Sequence, residues 1–331
     1  MLDQTPKEIS ERSALRINPL KTCQPVGALY AALGVKRCMP HSHGSQGCVS
    51  YHRTFLTRHF KEPAVASSSS FTEGASVFGG GANLRSSVKN IFDVYDPDII
   101  AVHTTCLSET IGDDINSYIL EMEIPEDKLV VHCNTPSYVG SHVTGFANMV
   151  AGFVKYLADK RAPKNDRLGI FPGFVNPGDL RELKRLLGKM ELPFIMLPDQ
   201  TGVMDGPMTG VYEMFPDGGT PVEDIRALGG AREALALGEF ASTEPAMVLK
   251  SKCGVETRVL PLPMGIAATD DFLMTLSAIS GKPVPAELEE ERGRLVDLML
   301  DANPYFFDRK CAIFGDPDTV LGLTSLALEL G

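Results

Sequence analysis

Asp98–Thr105 reads DIIAVHTT and Lys128–Cys133 reads KLVVHC, two short and nearly unbroken apolar runs. Each is followed by a turn and a helical stretch. A strand that is apolar on both faces has to be covered on both faces, which is the condition of a strand inside a parallel sheet. The pattern recurs in a strand at Arg167–Phe171, a helix at Pro177–Met190, a returning strand at Pro193–Leu197 and a further strand at Glu256–Leu260. Alternation of this kind predicts right-handed βαβ crossovers and an α/β fold. Ligands of such sheets bind beyond the carboxyl ends of the strands. Cys106 and Ser137 both fall just past such ends.

The chain has 331 residues, more than one core of usual size holds, so two or more domains are expected, with Ala162–Asp166 as a linker. Further helices are predicted at Gly27–Leu33, closed by Gly34, and at Val49–Phe60, Asn83–Tyr95, Glu109–Met122 and Phe146–Asp159. Thr269–Ser280 and Pro285–Asn303 complete them. Ala66–Gly81 reads as a Ser/Gly loop, and Thr220–Glu223 as a capping box that starts another helix. Lys310–Phe314 reads as a strand, followed by a turn and a helix at Thr319–Leu330. That unit has no later strand to pair with, so the expectation is a third domain that is incomplete here. A net charge of −11 argues against nucleic acid or an anionic membrane surface as a partner. No apolar run reaches a membrane span, and the charged N-terminus lacks the apolar core of a signal peptide. Seven scattered cysteines do not form a disulfide framework, so a cytoplasmic protein with reduced thiols is expected.

Three of those cysteines stand at element ends. Cys23 precedes a helix, Cys48 closes the turn HGSQGC in the stretch Met39–Arg53, and Cys106 ends a strand. A thiol where a turn opens a helix meets backbone N–H groups and the positive helix end, a setting that suits a metal or cluster. Three ligands fall short of the four that structural zinc or an ordinary iron–sulfur cluster takes. A fourth could come from Ser137, a histidine or another subunit; equally, buried cysteines can serve as small hydrophobes. None of the seven histidines falls in a zinc signature. The sequence leaves Phe78, in FGGG, open between an exposed partner contact and a core residue. Asp297 and Asp301 share one helix face and could hold a hard cation, or could be balanced by Arg294.

NPLKTCQPVGA, MPHSHGSQGC, RHFKEP, TEGASVFGG, TTCLSETIGDD, TPSYVGSHVTG, EERGRLVD and FGDPD, in that order between about Ala14 and Gly331, resemble the β subunits of nitrogenase molybdenum–iron proteins, the short-armed clostridial type in particular. The resemblance implies tandem Rossmann-like domains with parallel sheets flanked by helices. The expected division is an N-terminal arm at 1–16, a cluster-bearing domain at 17–163 and a second domain at 164–284. A connecting helix and the start of a third domain fill 285–331. It implies an αβ pair, doubled to a heterotetramer, that shares an 8Fe-7S P-cluster across its interface. On this side the ligands would be Cys23, Cys48 and Cys106, with Ser137 as an extra oxygen ligand. The reaction implied is reduction of dinitrogen to ammonia at an iron–molybdenum cofactor in the α subunit, so no catalytic residue is expected here. An ATP-hydrolysing iron protein would dock at Phe78 and deliver electrons through the cluster. Glu62, Asp297, Asp301 and the Lys61 carbonyl would hold a divalent cation, calcium or iron, between two β subunits. Rival expectations are a scaffold subunit for cofactor assembly, a dark-operative protochlorophyllide reductase with a smaller cluster, and a zinc-stabilised α/β binding protein.

Overall fold

The computed structural model describes residues 21–331, so the expected arm at 1–16 lies outside the described residues. Two four-stranded parallel sheets organise the chain. The first joins β1 (Cys38–His43), β2 (Ser67–Ser68), β3 (Ile99–Thr104) and β4 (Leu129–Cys133) in the order β2-β1-β3-β4. The second joins β5 (Leu168–Phe171), β6 (Phe194–Met196), β7 (Glu233–Leu237) and β8 (Thr257–Leu260) in the order β6-β5-β7-β8. In each sheet the winding reverses direction at its centre, and in the first this switch point lies between β1 and β3. A crevice opens at such a point, beyond the strand ends.

Helix α7 (His142–Leu157) lies between α1 (Gln24–Leu33) and α10 (Glu239–Cys253). One apolar core runs through this layer, from Leu29 and Phe146 to Leu228 and Ala246. Glycines set how closely α1 and α7 approach. A Cβ on Gly27 would lie 1.7 Å from the His142 carbonyl oxygen, and one on Gly145 would lie 1.9 Å from that of Gln24.

The structure corrects the sequence reading in five places. The stretch Met39–Arg53 does not open as a loop before the HGSQGC turn: residues 38–43 form β1, and all six are buried. This strand hides two histidines and a serine because each is satisfied: His41 by Ser67 and Ser69, Ser42 by His103, His43 by Ser69 and Asp113. The Ser/Gly stretch contains β2 and a short helix, α3 (Glu73–Phe78). The single helix expected at 109–122 is two, α5 (Cys106–Ile111) and α6 (Ile115–Leu120), broken where Gly112 turns left-handed at φ +77° and Asp114 caps the Ser117 N–H. Thr220 is no helix cap, for its hydroxyl donates to the Met196 carbonyl at 2.5 Å and α9 (Val222–Ala227) starts on Pro221. Residues 310–314 pair with no strand among the described residues, and a strand exists only as part of a ladder.

The helix after that segment, α13 (Pro317–Leu330), packs on α11 (Gly265–Ser280) and α12 (Ala286–Phe306). Its Asp318 carboxylate accepts the N–H groups of Glu239, Phe240 and Ala241, closing the start of α10. Its Glu329 does the same for Ile266 and Ala267 at α11. Both carboxylates answer helix N–H groups that lack a partner within their own helix.

The histidines in and beside β1 make the fold sensitive to acid. Burial, with His43 adding, pushes His41 down to about 3; burial, with His52 and His41 adding, holds His103 well below the usual histidine value. Both are neutral at neutral pH, whereas in the unfolded chain they titrate near 6.5. Their contribution is therefore full above about pH 6.5 and declines progressively as the pH falls from there towards the folded values. The expected slope is up to about 1.4 kcal/mol per pH unit for each group. Urea midpoints should fall between about pH 7 and about pH 5; equal midpoints would contradict neutral buried histidines.

Candidate functional site

β1 and β3 run side by side with His43 opposite Thr104, so the turns that leave them are neighbours at the switch point. The first turn enters α2 (Gln46–Phe60), whose N-cap Ser45 accepts the Gly47 N–H, and Cys48 stands in its first turn. The second enters α5, where Cys106 is the first helical residue and Thr105 the cap. Gly44 permits the meeting, since a Cβ there would lie 1.9 Å from the Thr105 hydroxyl oxygen.

Cys23 reaches the same place as the N-cap of α1. The loop after β4 is tied to it by the Gln24 side-chain amide, which donates to the Pro136 and Val139 carbonyls at 3.1 and 2.9 Å. Those bonds bracket Ser137, which lies beside the Cys23 thiol and acts to lower its pKa. Cys23, Cys48, Cys106 and Ser137 are thus gathered by four separate elements, three of which are helix N-termini. All three thiols are free; Cys23 and Cys48 are half-buried and Cys106 is exposed.

Burial raises the Cys23 thiol most, and Cys106 raises it further against the lowering effect of backbone N–H groups and Ser137. Burial, Cys106 and Cys23 all raise Cys48. The thiols are therefore close enough to repel one another as thiolates. Bound iron would remove that repulsion, and thiolates at helix N-termini favour it further. This donor set fits an iron–sulfur cluster. Among the described residues no three His, Cys, Asp or Glu side chains are grouped as closely as a single bound ion requires.

Sequence reasoning missed His52. Its Nε2 lies 3.4 Å from the Cys23 sulfur, and burial lowers it to about 4, so the neutral ring can donate there. Its Nδ1 is buried without a hydrogen-bond partner. The signal was present: His52 stands four residues after Cys48, on the same face of α2. Cys38 and Cys133, by contrast, are buried hydrophobes whose thiols are pushed far up by burial.

Phe78 ends α3 and is 90% exposed, beside Val77 at 74%. Lys61 caps α2 in the left-handed region at φ +72°, and the following Glu62 has a buried carboxylate oxygen with no partner. Asp297 and Asp301 are exposed on one face of α12, while Arg294 pairs with Glu290 instead. Within this chain the aspartates do not converge with Glu62 on one ion.

Comparison with known proteins agrees over the whole chain. A family model described as nitrogenase component 1 type oxidoreductase matches residues 23–331. The chain is 61% identical to the nitrogenase molybdenum–iron protein β chain of Clostridium pasteurianum, covering 100% of this chain and 73% of that one. It is 42% identical to the corresponding β chain of Azotobacter vinelandii, with 99% and 65% coverage, and 44% to that of a Nostoc strain, with 97% and 64%. It therefore spans about two thirds to three quarters of the length of these relatives. Among solved structures, nitrogenase Cp1 at pH 6.5 superposes with a TM-score of 0.95 at 61% identity, covering 100% of this chain and 73% of that one. A chain of nitrogenase Cp1 at pH 5, at 19% identity, superposes with a TM-score of 0.61 over 91% of this chain and 60% of that one, a likeness of fold alone. No helix among the described residues is long and apolar enough to cross a membrane.

Proposed function

This chain belongs to the nitrogenase component 1 type oxidoreductases, and from that premise we propose that it serves as the β subunit of a molybdenum–iron nitrogenase, in complex with an α subunit. Its part is to hold one side of an 8Fe-7S P-cluster. The observation that carries this is the meeting of Cys23, Cys48 and Cys106, with Ser137, at the switch point of the first sheet. When bound, the cluster supplies a one-electron relay between a reductase partner and the α subunit's cofactor.

The chain's own residues then act by position. Three rigid helix starts fix the sulfurs, and their positive ends lower the free energy of negative charge there. Ser137, on the loop tied down by Gln24, offers a hydroxyl oxygen beside Cys23. His52 presents a neutral donor to the Cys23 sulfur and thereby tempers its charge. The exposed Cys106 lies open to a partner subunit, which would complete the ligand set. Glu62, with its unpaired buried oxygen, and the Asp297/Asp301 pair on α12 are suited to a divalent cation shared between two β subunits, the Lys61 carbonyl adding an oxygen.

Phe78 and Val77 form an apolar knob of the kind that anchors a protein contact. An iron-protein reductase is its proposed partner. Phe78→Ala should reduce reductase-driven turnover of the αβ complex at least about tenfold, the loss of roughly 1.4 kcal/mol or more expected of a buried aromatic anchor. Iron content should be unchanged. Unchanged turnover would remove Phe78 from the docking surface, and loss of iron would make it a residue of the fold.

A further inference from the structure

One buried pair of side chains joins the Phe78 loop to the Cys106 turn. Asp113 sits just past α5 with its side chain 2% exposed, against His43, which is wholly buried. Its carboxylate accepts three groups: the Gly80 N–H at 3.0 Å, the Tyr118 hydroxyl at 3.0 Å and His43 Nε2 at 2.9 Å. A carboxylate can only accept, so the His43 proton is on Nε2, leaving Nδ1 to accept from the Ser69 hydroxyl at 2.8 Å. Gly80 is two residues from Phe78 and starts α4 (Gly81–Tyr95). The loop packs closely here: a Cβ on Gly80 would lie 2.1 Å from the Phe71 ring, and that ring stands edge-on to His43 at 4.8 Å.

The other end of the same residue holds the cluster side. The His43 carbonyl accepts from the Thr105 N–H at 3.2 Å, the Thr105 hydroxyl at 3.2 Å and the Ser108 hydroxyl at 2.8 Å. Those groups cap the helix that Cys106 begins. His43 therefore grips the Phe78 loop with its ring, through Asp113, and the Cys106 turn with its backbone.

We propose that His43 and Asp113 are positioning residues that couple contact at Phe78 to the placement of Cys106. The inference rests on the β-subunit reading above. A partner that presses on Phe78 displaces Gly79–Gly80. The Gly80 N–H, which reaches both Asp113 oxygens at 3.0 and 3.1 Å, passes this to Asp113, and the last residue of β1 passes it to the α5 cap. Between the exposed ends at Phe78 and Cys106, Gly80, Thr105 and Ser108 are buried and the His43 and Asp113 side chains are enclosed, so little of the shift is absorbed by water or by rotation of a free side chain.

The test is a double-mutant cycle in the αβ complex, between Asp113→Asn and Phe78→Ala. Asparagine keeps the shape but turns an N–H towards one of the three donors. Asp113→Asn should slow reductase-driven electron transfer about tenfold or more, the scale of a small misplacement. Iron content and reduction of the cluster by a small-molecule reductant should stay as in the wild type. Adding it to Phe78→Ala should slow transfer no further. His43→Gln, which retains a donor towards Asp113, should lie between wild type and Asp113→Asn. Additive effects, an equal slowing with the small-molecule reductant, or loss of iron would overturn the coupling while leaving the β-subunit reading intact. A wild-type complex without iron would overturn both.

Discussion

An anaerobically purified αβ complex carrying Cys48→Ala will lose the shared cluster while its β chain stays folded. Position 48 lies in the first turn of α2, where alanine is at least as good a helix former as cysteine. The thiol is half-buried, and nothing in the core depends on it. Circular dichroism and subunit association should therefore match the wild type. With Cys48 a ligand, as proposed, its loss removes a thiolate from iron, and that loss is not repaired by the fold. Turnover driven by the reductase should fall by more than about a hundredfold, since even residues one layer behind a metal ligand commonly carry tenfold to a hundredfold. Cys48→Ser, with an oxygen in place of sulfur, should retain more iron than alanine. Full iron content in Cys48→Ala would remove Cys48 from the ligand set.

The second large effect comes from a position with no functional group at all. Gly27→Ala places a methyl 1.7 Å from the His142 carbonyl oxygen and 2.8 Å from the Phe146 nitrogen. Both are backbone atoms of α7, so no rotamer change relieves the clash and α1 must lift away. Overpacking usually costs about 1–3 kcal/mol, and a backbone-to-backbone clash belongs at or above the top of that range. Because Cys23 caps α1, the same movement displaces a ligand, so cluster content should fall along with stability. Gly188→Ala on α8 (Pro177–Lys189) is the matched control, with no atom within 4 Å of its Cβ. It should be neutral or stabilise by up to about 1 kcal/mol, as alanine does in an open helical site. Denaturant midpoints of the two variants separate the effects.

The sheets were legible wherever a strand is apolar on both faces. β3, β4, β5 and β6 announce themselves because helices cover them on both sides. β1 did not, because CMPHSH carries a proline, two histidines and a serine, and only the structure shows the hydroxyls and the carboxylate that satisfy them. β7 escaped for another reason: EALAL is made of good helix formers, and it is a strand only because β5 and β8 flank it. In the site, the three cysteines stood out by their place at element ends. His52 and Asp113 did not, since their importance comes from what packs against them across 29 and 70 residues of sequence.

The metal proposed to lie between this chain and its partner is the decisive observable. The direct measurement is elemental analysis of iron, zinc and acid-labile sulfide in the wild-type αβ complex, purified without oxygen. It should be compared with the same complex lacking Cys23, Cys48 and Cys106 together. The wild-type complex should contain iron and sulfide in the proportions of an 8Fe-7S cluster, lost in the triple variant. Zinc in the wild-type complex, or iron and sulfide that survive loss of all three thiols, would contradict the proposed cluster.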